Sequence, residues 1–103
     1  MNAAARLELS AYLASMSAPG VCMTALFQAQ ELFTLDDDGS DREPHMVALR
    51  FLLPRILDAG APPKDLAARA DALDRRLFGD RPASIALPAH YPARLPPPLQ
   101  KRD

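Results

Sequence analysis

"SDREPHMVALRFLLPRILDAG", residues 40–60, decides the fold. Met46, Leu49, Leu53 and Leu57 recur at helical spacing, with Val47, Phe51, Leu52 and Ile56 beside them. An apolar surface this wide around a helix predicts a central position in a core. Ser40 and Glu43 have the spacing of a capping box, and Asp41 sits well near the positive end of the helix dipole. Pro44 falls in the first turn, where its missing N–H costs nothing. Pro54 falls inside the periodic run, where a proline removes a hydrogen bond and clashes with the carbonyl four residues back, at about 3 kcal/mol. A kink or a break is expected there. Gly60 is expected to cap the C-terminal end.

The flanking segments repeat the helical period. Upstream, "VCMTALFQAQELFTL" (21–35) sets Cys22, Leu26, Ala29 and Phe33 on one side, with Met23, Phe27 and Leu32 widening the apolar surface. The turn residues "DDDGS" (36–40) should end it near Leu35. Before it, Asn2 can cap a first helix whose stripe is Leu9, Tyr12, Leu13 and Met16, flanked by Leu7, Ala11 and Ala14. "SAPG" (17–20) interrupts the stripe, and Ser17 is expected to cap the second helix, with Pro19 in its first turn. Downstream, Leu66, Ala70, Leu73 and Leu77 form a short heptad-like seam that could also serve a homodimer. Asp65–Arg69 and Asp71–Arg75 are helix pairs four apart, and Gly79 ends the segment. The fold class is therefore all-α: a small three- to four-helix bundle with short connections, residues 1–80.

Residues 81–103 read differently. "SIALPAHYPARLPPPLQKRD" (84–103) holds five prolines and no helical period. "LPPPL" (95–99) favours extended polyproline II, which is pre-ordered for binding. Ile85, Leu87, Tyr91, Leu95 and Leu99 stand between the prolines, and Arg94, Lys101 and Arg102 add charge. An arm with this pattern suits lying on a surface, either its own bundle or a partner. Ile85, Leu87, Tyr91, Arg94, Leu95 and Leu99 are the candidate partner-binding residues.

Composition narrows the function classes. The 103 residues argue one domain, and 49% hydrophobic with 24% charged content is that of a globular chain. A chain this short buries roughly 60–70% of its unfolded surface, so a partner that covers apolar area would matter. The net charge of −1 gives no bulk pull toward nucleic acid or membrane. The charge is uneven, however. Arg6 stands against Glu8, Glu31, Asp36, Asp37 and Asp38 in the first forty residues, whereas the arm has Arg81, Arg94, Lys101 and Arg102 against Asp103. No run approaches eighteen apolar residues, so no membrane span is expected. Arg6 alone, with Glu8 interrupting, makes a poor signal peptide. Many Ala, Arg, Asp and Pro residues hint at a GC-rich bacterial source. A lone cysteine fits a reducing, cytoplasmic compartment.

Three constellations invite chemistry. Around "LDDDGSDREPH" (35–45), aligning Gly39 with the EF-hand glycine puts Thr34 and His45 at the two ends, where a calcium loop needs carboxylates. An acidic turn before a helix is the better reading. "ILDAGAPPKDLAARA" (56–70) resembles the opening of a helix-turn-helix DNA-binding motif. The resemblance covers about a dozen residues and ends at Asp71, where a recognition helix should begin and the same helical pattern instead continues. Cys22 lies between apolar neighbours and reads as a small hydrophobe, and His45 and His90 have no partners at metal spacing. No cofactor is expected. The leading expectation is a non-enzymatic accessory or adaptor protein that stabilises or inhibits a larger protein partner through the arm and an apolar helix face. The alternative is an antitoxin-like or transcriptional regulator with a neutralising tail. A small thiol or histidine enzyme is a distant third.

Overall fold

The computed structural model describes residues 1–79. They form four helices: α1 (Ala3–Met16), α2 (Cys22–Asp36), α3 (Pro44–Ile56) and α4 (Leu66–Phe78). The all-α bundle is thus the fold. The candidate residues Ile85, Leu87, Tyr91, Arg94, Leu95 and Leu99, with His90, lie outside the described residues.

Each helix buries the stripe that its sequence offers. Asn2 caps α1, its Oδ1 accepting the Ala5 amide at 2.8 Å. Leu9, Leu13 and Met16 are buried below it, together with Ala5, where the small side chain lets a neighbour approach. On α2, Leu26 and Ala29 are buried, while Cys22, Leu32 and Phe33 pack against the core from its edge. α3 buries Met46, Ala48, Leu49, Leu52, Leu53 and Ile56. α4 buries Leu66, Ala70 and Leu73 of its heptad-like seam in the chain's own core, and Leu77 packs against that core half-buried.

The hub of the bundle is not α3. α3 supplies the most buried residues, but α1 makes the broadest packing, mainly with α3 and α4 and less with α2. α3 and α4 meet each other only lightly. Both lie on α1 and leave a cleft between them. Arg6 of α1 reaches across to the last turn of α4, its guanidinium 5.1 Å from the Phe78 ring centre.

Three local expectations are corrected, and the one at Pro54 is narrowed. Ser17 does not start α2. It ends α1 in a near-helical conformation and donates its hydroxyl to the Ala14 carbonyl at 3.1 Å. Pro19 then falls in the connecting turn, and α2 begins at Cys22 without a side-chain cap.

The Ser40–Glu43 capping box is not made either. The residue before a proline is pushed to extended backbone, and Glu43, at ψ 119°, is the N-cap residue itself. Ser40 Oγ instead accepts the Arg42 amide at 3.4 Å.

α3 does not break at Pro54. It continues to Ile56, and the Leu57 amide donates to the Leu53 carbonyl at 3.1 Å. Pro54 is exposed on the last turn, with its ring in solvent.

Gly60 is not the helix cap. Asp58 and Ala61 exchange both backbone hydrogen bonds at 2.8 Å, and Ala59 and Gly60 form the two-residue loop between them at φ 50° and 87°. Two positive φ values are what a type I′ loop demands, and Gly60 meets that demand without strain.

Candidate docking surface and two grooves

Most of α2 is apolar, and only one side of it can meet the core. Leu26, Ala29 and Phe33 turn inward. Met23, Phe27 and Leu35 are left on the outward side, with Val21 just before the helix. Val21 is 51% exposed, Met23 37%, Phe27 53% and Leu35 74%. Three large side chains thus follow the outer face of one helix, separated by Thr24, Glu31 and Thr34. From Met23 to Leu35 the row is about 18 Å long at the helical rise. Met23 and Phe27 adjoin one turn apart, and exposed Glu31 stands between Phe27 and Leu35; an exposed apolar pair of this kind is a place where something else can dock.

The row ends at an acidic turn that is firmly anchored. Asp37 Oδ1 accepts from the Gly39 amide at 3.0 Å and from Arg50 Nη2 at 2.7 Å. Arg50 Nη1 donates to Asp41 at 2.7 Å, and Nη2 also donates to the Ser40 carbonyl at 2.9 Å. Asp38 accepts from the Ser40 amide at 2.9 Å and from Arg42 at 2.7 Å. Asp37, Asp38 and Asp41 are therefore engaged by arginines and backbone, and Arg50 ties the turn to α3. This role was hidden in the sequence, because its partners lie nine and thirteen residues upstream, beyond any helical period.

The same contacts set the response to acid. The Arg50 hydrogen bond, and then that of Gly39, holds the Asp37 carboxyl below its ordinary range. Hydrogen bonding from Ser40, with Arg42 beside it, holds Asp38 down at about 2. The folded chain thus binds fewer protons here than the unfolded chain, whose aspartates titrate near about 3.9. The stabilisation is complete above that value and is lost as the pH falls toward 2. In Arg50→Ala, the Asp37 carboxyl should titrate nearer its ordinary value, and melting should depend less on pH in this range. Carboxyl NMR titration and melting curves between about pH 4 and 2 measure both.

Two grooves flank α3. The first, of about 410 Å³, lies beside the end of α2 and is lined by Phe33, Leu49, Leu53, Pro54 and Leu57, with Arg50 at its edge. The second, of about 320 Å³, is the cleft between α3 and α4, lined by Phe51, Arg55, Arg69, Ala72, Leu73, Arg76 and Leu77. Arg55 lies 3.7 Å from the Phe51 ring centre and donates Nη1 to the Phe51 carbonyl at 2.6 Å. Arg69 pairs with Asp58 and, at 3.6 Å, with Asp65.

The residues singled out for chemistry are placed apart. Cys22 opens α2, half-buried at the core edge. His45 sits in the first turn of α3, with Nδ1 3.9 Å from Glu43. α4 runs unbroken through Asp71 to Phe78, so no recognition helix begins there. Among the described residues, no helix is long and apolar enough to cross a membrane, and no group of three or more His, Cys, Asp or Glu side chains could hold a metal. No protein-family model, curated protein or solved structure matches this chain.

Proposed function

We propose that this chain is a non-enzymatic accessory protein of the bacterial cytoplasm that binds a larger protein and stabilises or inhibits it. The contact runs along the outer face of α2 and is extended by Ile85, Leu87, Tyr91, Arg94, Leu95 and Leu99. The observation that carries this reading is the outward row of Met23, Phe27 and Leu35, with Val21 beside it. Its centre is Phe27, an aromatic side chain of the kind that dominates interface energetics once its surroundings exclude water. The arm supplies alternating apolar side chains and prolines, a composition that binds at low entropic cost.

Affinity capture from the source cells tests this, with the full chain, Phe27→Glu and Tyr91→Ala/Leu95→Ala compared as baits. Phe27 is more than half exposed, so its replacement should leave melting nearly unchanged, within about 0.5 kcal/mol. A specific partner should be retained by the parent chain and lost about tenfold or more from both variants, the loss expected of a hot spot. Equal capture by all three baits would remove both surfaces from the interface.

A further inference from the structure

The cleft between α3 and α4 combines two chemistries. Its floor is apolar, made by Phe51, Ala72, Leu73 and Leu77. Its walls carry three guanidinium groups, from Arg55, Arg69 and Arg76. Arg69 is neutralised by Asp58 and Asp65. Arg55 and Arg76 have no carboxylate within ion-pair distance among the described residues. Arg55 is held in place by the Phe51 ring and the Phe51 carbonyl, which occupy only one of its five donors. A guanidinium fixed over an aromatic face with free edge donors is well arranged for a carboxylate.

The surroundings decide what kind of anion fits. The arm carries three net positive charges, which disfavours the chain's own C-terminal residues as occupant. A polyanion such as nucleic acid or a charged membrane would use the guanidinium groups but leave the apolar floor without a partner. A short segment with one or two carboxylates and an apolar side chain satisfies both features. We propose that this cleft binds a short acidic peptide segment, its carboxylates taken by Arg55 and Arg76 and an aromatic or aliphatic side chain seated on Leu73 and Leu77. The site is separate from the α2 face and stands whether or not that face docks a protein.

The probe is a fluorescein-labelled dodecapeptide in which glutamates flank a single phenylalanine, titrated into the full chain. Binding should shift the Arg55 and Arg76 Nε–H resonances and the Leu73 and Leu77 methyls. Arg76→Gln should weaken it about tenfold, the loss of one charge-assisted contact, and Arg55→Gln/Arg76→Gln further. Arg76 is exposed, so the single variant reads the site even if Arg55→Gln disturbs the end of α3. A peptide with glutamine for every glutamate should not bind measurably. Unchanged affinity in Arg76→Gln, or equal binding of the glutamine peptide, would overturn the assignment. Tighter binding of an oligonucleotide or an anionic vesicle of equal charge would also overturn it, in favour of a polyanion.

Discussion

Leu13→Ala should cost about 3 kcal/mol of folding stability and lower the melting temperature by about 15 °C. Leu13 is fully buried on α1, the helix with the broadest packing in the bundle. Truncation removes three carbons from a site where α1 packs against both α3 and α4, so the cavity can close little. The loss is a large part of the few to fifteen kcal/mol, roughly, that a domain of this size commands. Leu7→Ala on the same helix is the control. Leu7 is 73% exposed, and its replacement should change stability by less than about 0.5 kcal/mol. Equal effects at the two positions in denaturant titrations would mean that α1 presents a different face to the core.

Pro54→Ala should act in the opposite direction and raise stability by about 2 kcal/mol, or about 10 °C in melting temperature. Pro54 has no N–H to give the Arg50 carbonyl, yet α3 continues past it. Restoring that donor adds a turn-closing hydrogen bond and removes the ring's clash with the carbonyl. The full interior penalty is not recovered, because the site is two residues from the helix end and alanine loosens the unfolded chain. The side chain is exposed, so no core contact is lost. A fall in stability would show that the proline ring is held by packing along the groove of Phe33, Leu53 and Leu57.

The helices were legible because each core stripe is periodic. Leu9–Leu13–Met16 and Leu66–Ala70–Leu73 sit where their spacing put them. Boundaries were less legible. Ser17 and Ser40 have the chemistry of N-caps, but a cap forms only where the backbone turns into a helix. Pro44 moved that point past Ser40, and the turn at 18–21 moved it past Ser17. The candidate face was half legible. The stripe of Cys22, Leu26, Ala29 and Phe33 names the inward side of α2, but the pattern does not say whether Met23 and Phe27 beside it are covered. α1 and α3 settle that by taking the side of Leu26 and Ala29. The arginine-lined cleft was not legible, because it joins Arg55 of α3 to residues of α4 across a connection that no periodicity describes. Read along α4 alone, Arg69 pairs with Asp65 and Arg75 with Asp71, and nothing singles out Arg76.

The contact of Arg6 with Phe78 has a consequence for birth of the chain on the ribosome. α1 emerges before its largest partners, the third and fourth helices, and its reach to α4 ends at the last turn. At about 5–20 residues per second, roughly 3 to 12 seconds separate Met16 from Phe78 during synthesis. Until Ile56 completes α3, Leu9, Leu13 and Met16 have only α2 to cover them, so the nascent two-helix hairpin is the form in which this protein is most exposed to chaperones and to aggregation.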